Sequence, residues 1–500
     1  MTLRGAAVFR ALISIFLIVI WLVPFSSGPT PSVIPWLVAA FGAVVAWLFR
    51  SQLTPQSVTQ AWLLAALMSA FIGLLQYFGQ TQNLSPWVHS TALGEAFANL
   101  RQRNQFATLT SIGLLALLWQ VAQQPTFTGK NPQTDRRTMF YTDVGALLLA
   151  LGNAASGSRT GLLQWVLVLG LTLMWAPRTQ WRVVAVSAFA LAAYVVAALT
   201  LPWLLEVVAG VQSGGLLGRF KEEAGCSSRR VLWSNVLHLI AQKPWFGWGW
   251  GELDYAHFIT LYPGERFCEI LDNAHNLPLH LAVELGVPVA LVVCGLGLWL
   301  TWRAKPWRET DATRQLAWGV LAVILLHSML EYPLWYGPFQ IAAGLCVWLL
   351  LRKPFSPLAP VHSAWIATLF IAVIAYAGWD YWRISQIYLI PTMRAEPYRE
   401  NTLNKIRGSW LFQNQVQFAE LTTITLTPEN AAQINAMAKQ LLHFSPEARV
   451  VEKLIESAVM LGRDEEALFY LQRFKAAFPE AHARWSKNSG TLIASQMQRK

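Results

Sequence analysis

The sequence predicts an all-α, polytopic membrane protein of about 11 spans, with a large polar loop and a C-terminal helical, tetratricopeptide-like domain on one side of the bilayer. Three observations predict it. Of the 500 residues, 54% are hydrophobic and only 13% are charged, about half the charged share of a soluble domain. The apolar residues gather into runs near the length that crosses a bilayer. Lysine and arginine alternate between dense and sparse in the loops joining those runs.

Eleven stretches approach the roughly 20 apolar residues a spanning helix needs. They lie near 8–24, 33–49, 58–78, 105–122, 140–155, 161–176, 183–201, 281–301, 314–330, 334–351 and 362–382. The first follows Arg4 and Arg10 like a signal peptide, but "VPFSSGPTPSVIP" offers no A-x-A-like cleavage site, so it reads as a span. With the N-terminus inside, Arg4, Arg10, Arg50, Lys130, Arg136, Arg137, Arg178, Arg182, Arg303, Lys305, Arg308, Arg314, Arg352 and Lys353 fall on the inner side. The short outer loops hold only Arg101, Arg103 and Arg159. The net charge of +11 therefore reports topology, not a nucleic-acid partner.

An odd number of spans places the polar regions 202–280 and 383–500 outside. The expected domains are 1–382, a membrane domain including the loop 202–280, and 383–500. Cys226 and Cys268 both fall in that loop, which predicts a disulfide in an oxidising compartment. Cys294 and Cys346 fall within spans.

The C-terminal region is polar and helical in period. "TPEN" at 427–430 and "SPEA" at 445–448 each place a hydroxyl residue at an N-cap and proline at the first helical position. "LIESAVMLGRDEEALFYLQRFKAAFP" reads as a helical hairpin turning at Gly462. Phe444 and Phe478 stand 34 residues apart, the tetratricopeptide period. Such a domain either binds a partner or packs on the membrane domain.

Four outer-face stretches carry candidate chemistry. In "NAASGSRTGLL" (153–163), short flanking helices set Arg159 at hydrocarbon depth or in an outward cavity. There it either snorkels to headgroups or grips a phosphate with two hydrogen bonds. "SSRRVLW" supplies Arg229 and Arg230, of which helical geometry turns one toward any cavity. "DNAHNLPLHLAVELGVP" (272–288) opens the eighth span with His275 and Asn276, and sets His280 and Glu284 a turn apart inside it. These groups either cap the helix at the interface or act on substrate. The positive end of the helix dipole disfavours a charged imidazole, so His275 suits proton removal from a hydroxyl, and Asn276 suits holding a polar substrate. "HSMLEYPLWYGPF" (327–339) joins spans nine and ten with His327, Glu331 and Tyr332. A fifth motif, "PWFGWGWGE", reads as an aromatic turn at the membrane interface or as a sugar- or lipid-facing lip. Few charges lie within the spans, which argues against a proton-coupled transporter.

"SGSRTGLL", "SSRRVLW…KPWFGWGWGE" and "DNAHNLPLHLAVELGVP", in that order, resemble the O-antigen ligase and polymerase superfamily. "HSMLEYPLWY" and the polar C-terminal region make the chain most similar to its PglL-type O-linked oligosaccharyltransferase branch, over roughly 140–480. The resemblance implies a multi-pass enzyme of the bacterial inner membrane with its active face and C-terminus in the periplasm. It implies a glycan donor on undecaprenyl pyrophosphate and an acceptor hydroxyl on a protein such as pilin, with no cofactor, nucleotide sugar or metal. It makes His275 the essential histidine, turns Arg159 and Arg229 to the pyrophosphate, and puts Tyr332 in a second functional loop. Asn276 and Glu331 join these as expected substrate-binding residues. A lipid A core or glycan acceptor and a non-catalytic scaffold are the alternatives.

Overall fold

The structure, a computed structural model, describes residues 3–23, 28–30, 32–124, 132–175, 181–211, 225–351 and 360–487. Lys130, Arg178, Arg352 and Lys353, used above for orientation, lie outside the described residues, as does 212–224 of the outer loop. Among the described residues the secondary structure is helical, without strands. The first helices are α1 (Leu3–Leu22), α2 (Val33–Leu48), α3 (Pro55–Tyr77), α4 (Arg103–Gln123), α5 (Pro132–Ser156), α6 (Arg159–Trp175) and α7 (Trp181–Ala209). There follow α8 (Arg229–Gln242), α9 (Leu253–Ile259), α10 (Leu277–Leu285), α11 (Val287–Ala304), α12 (Ala312–Ser328), α13 (Gly337–Leu351) and α14 (Pro360–Ser385). The last are α15 (Thr402–Ile406), α16 (Gln413–Thr423), α17 (Ala431–Leu442), α18 (Ala448–Met460) and α19 (Asp464–Ala477).

Ten of the eleven apolar stretches each coincide with one α-helix, and the eighth falls on two. Five helical runs are long and apolar enough to cross a membrane: Pro55–Tyr77, Arg103–Gln123, Trp181–Ala209, Val287–Arg308 and Ser363–Tyr388. Shorter apolar helices cover Ala11–Leu22, Val33–Leu48, Arg159–Trp175 and Gly337–Leu351.

The chain divides into two compact units, Met1–Glu222 with Leu298–Gly378, and Glu223–Gly297 with Trp379–Lys500. In the second unit, residues of the segment Glu223–Gly297 pack with the C-terminal segment. Phe258 of α9 sits in one core with Phe418, Leu454 and Phe474. Arg473 Nε donates to the Ile259 carbonyl at 2.7 Å. His443 Nδ1 meets Glu252 at 2.6 Å, and its ring stacks on Tyr255 at 3.9 Å.

The first unit is a helical bundle around α4, most of whose apolar stretch is buried. A helix buried on all sides has to be apolar all round or have its polar groups bonded across to neighbours. α4 does the second at Thr108 and Ser111, both buried on it and both bonded across to Gln164. Trp21, Trp62, Phe106, Trp165, Tyr194 and Phe339 fill the space between helices. A capping box starts α3: the Thr54 hydroxyl accepts from Ser57 N at 3.1 Å, and Ser57 Oγ accepts from Thr54 N at 3.0 Å.

In the second unit a disulfide joins Cys226 to Cys268, with Cα atoms 5.4 Å apart. α8 starts beside it, capped by the Ser228 hydroxyl. The hairpin turning at Gly462 is present as α18 and α19. The two expected caps are displaced. "TPEN" forms a turn instead, with Thr427 N donating to Asn430 Oδ1 at 2.8 Å, and α17 starts only at Ala431. At "SPEA" the Ser445 hydroxyl donates to Glu447 Oε1 at 3.2 Å instead of capping the helix, and α18 starts at Ala448. In both cases a local bond competes with the cap that the sequence suggests.

Candidate functional site

The functional side chains predicted from sequence fall into two clusters, one in each unit. In the first unit, "NAASGSRTG" forms the tight connection between α5 and α6. Ser158 N donates to Ser156 Oγ at 3.1 Å, and the Ser158 hydroxyl accepts from Gly161 N at 3.0 Å. Arg159 is the first residue of α6 and half-buried.

Ser158 Oγ also donates to Asn104 Oδ1 at 2.6 Å, and Asn104 Nδ2 donates to Glu331 Oε1 at 3.4 Å. One carboxamide at the start of α4 thus ties the residue before Arg159 to the residue before Tyr332. One turn deeper the pattern repeats. Thr108 Oγ1 meets His327 Nδ1 at 2.9 Å and accepts from Gln164 Nε2 at 2.8 Å. Gln164 Nε2 also donates to the Val323 carbonyl at 3.0 Å, and its Oε1 accepts from Ser111 at 3.0 Å. The result is a buried polar ladder descending from one end of the bundle. His327 and Glu331, four residues apart, are each held by α4. Tyr332 is half-buried and stacks on Tyr336 at 5.8 Å.

In the second unit the expected eighth span is broken. Gly286, at φ +90°, separates α10 from α11, so His280 and Glu284 sit on a short helix ahead of the candidate span rather than inside it. His275 stands just before α10 with φ +51°, a left-handed conformation that costs a non-glycine residue about 1–3 kcal/mol. Its neighbours hold that turn. His275 N donates to Asn273 Oδ1 at 2.9 Å, and Trp233 Nε1 donates to the Ala274 carbonyl at 3.1 Å. Asn276 Oδ1 accepts from Leu279 N at 3.1 Å and so caps α10.

His280 and Glu284 lie 3.4 Å apart, each 2% exposed. Burial, followed by the nearby His275, lowers the His280 pKa to about 4. Burial raises the Glu284 carboxyl to about 7 against the pull of the Gly251 backbone. Both shifts disfavour charge, so the pair is an imidazole beside a carboxylic acid in mildly acidic solution, not an ion pair.

Arg229 is half-buried at the start of α8. Arg230 is exposed and lines a cavity of about 430 Å³ with Ser234, His238 and Tyr262. Buried His257 holds the lining residue Tyr262: its Nε2–H donates to the Phe267 carbonyl at 3.0 Å while Nδ1 accepts from Tyr262 at 2.8 Å. Burial, with help from Arg266, lowers the His257 pKa to about 3.

Sequence reading missed Asn104, Thr108 and Gln164. The signal was present as polar residues at 104, 108 and 111, one helical turn apart in an apolar stretch. That stretch reads as a span of ordinary hydrophobicity until its partners are known.

Three families match parts of the chain: Protein glycosylation ligase over 96–119, O-Antigen ligase over 144–294, and Virulence factor membrane-bound polymerase, C-terminal, over 315–492. The first segment contains Asn104 and Thr108, and the second contains Arg159, Arg229 and His275. Among curated proteins the chain is similar to a General O-oligosaccharyltransferase of Acinetobacter baylyi, 22% identical over 66% of this chain and 57% of that protein. It is also similar to a ComP-specific O-oligosaccharyltransferase of the same organism, 25% identical over 51% of this chain and 43% of that protein. The chain thus spans about half the length of the curated relatives it matches. In these segments the chain is similar to the O-antigen ligase and polymerase superfamily, and within it to the PglL-type O-linked oligosaccharyltransferases.

Proposed function

We propose that the chain transfers a preassembled glycan whole from undecaprenyl pyrophosphate to a serine or threonine hydroxyl of a periplasmic protein such as a pilin. The proposed setting is the bacterial inner membrane, with eleven spans, the N-terminus inside and the active face and C-terminus in the periplasm. Arg159 and Arg229 bind the pyrophosphate. As the anomeric carbon–oxygen bond breaks, they stabilise the negative charge that leaves with the lipid. His275 takes the acceptor hydroxyl proton while that oxygen forms the new bond to the anomeric carbon, which inverts. Asn276, Glu331 and Tyr332 orient the substrates. Pyrophosphate is already a good leaving group, so the reaction needs no nucleotide sugar, metal or added acid.

The observation that carries this reading is the twofold bonding of Asn104. It draws Ser158–Arg159 and Glu331–Tyr332, from two distant sequence motifs, to one end of the first unit. The strained, well-held His275 turn in the segment matching O-Antigen ligase supports it.

The segments matching O-Antigen ligase and the membrane-bound polymerase favour a second reading, in which lipid A core or another glycan repeat is the acceptor. Expressing the full chain in a bacterium that makes one lipid-linked glycan separates the two. Sugar on a periplasmic protein supports the first, and sugar on lipopolysaccharide or a longer polymer supports the second. If neither forms, both transfer readings are lost, leaving a scaffold that fails on loss of the C-terminal region but not of Arg159 or His275.

A further inference from the structure

Trp245 and Phe246 have no part in the reaction proposed above, yet they are 70% and 90% exposed. Trp250, on the same turn, is 63% exposed. Aromatic surface of this size, clustered on nine residues, marks a contact with something less polar than water. The turn that carries it is firmly held. Trp248 N donates to the Val283 carbonyl at 2.8 Å, and Gly249 N donates to the Glu284 carbonyl at 2.9 Å. The Trp248 indole donates to the Leu239 carbonyl at 3.0 Å and carries the Lys243 ammonium 4.0 Å over its ring.

One further bond fixes the turn's place along the chain. Val287 N donates to the Pro244 carbonyl at 2.8 Å. Val287 is the first residue of a run apolar enough to cross a membrane, very little of which is buried against the rest of the chain. Leu291 and Val292, within its first two turns, are each 68% exposed. The residue before Trp245 is therefore bonded to the residue at which the span starts.

We propose that Trp245 and Phe246 insert into the headgroup–acyl boundary of the bilayer crossed by Val287–Arg308, and that this seating holds the His275 turn at a set depth. The occupant is lipid because the aromatic surface continues into the exposed flank of that span. Tryptophan is also favoured at this boundary, and Lys243 beside it reaches headgroup phosphates. The coupling to His275 runs through α10. Its C-terminal carbonyls hold the aromatic turn, its His280 ring lies 6.3 Å from Trp250, and His275 precedes it by one cap residue. Nine residues of helix separate the two ends by about 13 Å. The depth-setting role rests on the proposed glycan transfer, and the lipid contact rests on the membrane span alone.

Two measurements on the full chain test this. Benzoylphenylalanine in place of Phe246, in nanodiscs of phosphatidylethanolamine and phosphatidylglycerol, is expected to form lipid adducts on irradiation. The same group in place of Met460, which is also exposed, is expected to form none. No adduct at 246, or equal adducts at both positions, overturns the lipid contact. In transfer assays, Trp245→Ser with Phe246→Ser is expected to match the unsubstituted protein in detergent. It is expected to fall about tenfold behind when donor and enzyme share a vesicle. Equal loss in both media, or in neither, overturns the depth-setting role. If the unsubstituted chain transfers no glycan, it is the proposed function that fails, and the adduct yields still decide the lipid contact.

Discussion

Gly247 and Gly286 face one another across a contact in which neither has room for a Cβ. A Cβ on Gly247 would meet the Glu284 carbonyl, and one on Gly286 would meet the Trp245 carbonyl. Both have positive φ, +67° and +90°. The pair locks the aromatic turn onto the break between α10 and α11, and so fixes where the His275 helix ends.

Gly286→Ala is therefore expected to destabilise the protein by at least about 2 kcal/mol, from strain and collision together. Gly462→Ala is the comparator. It has φ +67° but open space around it, and should cost only about 1 kcal/mol. Thermal unfolding in detergent reads both, and equal losses would refute the interlock.

His275→Asn should lower glycan transfer by about 10²–10⁴ while the protein stays folded, because asparagine tolerates the left-handed backbone and lacks the base. The assay is transfer from a purified lipid-linked oligosaccharide to an acceptor protein. Near-normal turnover would remove His275 as the base.

Asn104→Ala should cost about 1–3 kcal/mol, since it strips Ser158 and Glu331 of a buried partner. Its kinetic signature should be a raised KM for donor with a smaller change in kcat, as the Arg159 and Tyr332 turns loosen. Arg159→Ala should weaken donor use in the same sense, and Arg159→Lys should restore it only in part, because lysine does not grip phosphate bidentately. An unchanged donor KM in Asn104→Ala would separate the ladder from donor binding.

The His280–Glu284 pair makes a signed prediction about pH. The Glu284 carboxyl, raised from 4.5 to about 7, contributes stability that is full below pH 4.5 and is lost as pH rises through about 7. The imidazole of His280, lowered from 6.5 to about 4, contributes stability that is full above pH 6.5 and is lost as pH falls through about 4. Between about pH 4.5 and 6.5 the two slopes oppose and largely cancel. Glu284→Gln should leave a protein whose melting temperature climbs with pH across that window relative to the unsubstituted chain, and His280→Asn one whose melting temperature declines. A few degrees is the expected scale. Parallel curves for all three proteins would show that the pair is ionised.

Much of this architecture was legible in the residues. Apolar runs locate the helices because burying a backbone in lipid demands local hydrogen bonding, and only a continuous apolar helix satisfies that at low cost. Cys226 and Cys268 marked the loop that a disulfide closes, and Gly462 marked the hairpin turn. The glycines of "PWFGWGWGE" and the polar residues on α4 were equally visible, but their meaning was not. Gly247 is required because Glu284 lies against it, and Asn104 matters because Ser158 and Glu331 arrive from turns 54 and 227 positions away. The break at Gly286, the displaced caps at "TPEN" and "SPEA", and the pairing of the segment Glu223–Gly297 with the C-terminal helices have the same origin. Hydropathy and spacing report what a residue prefers locally, whereas a partner contributed by a distant segment decides which preference is met, and that partner exists only once the chain has packed.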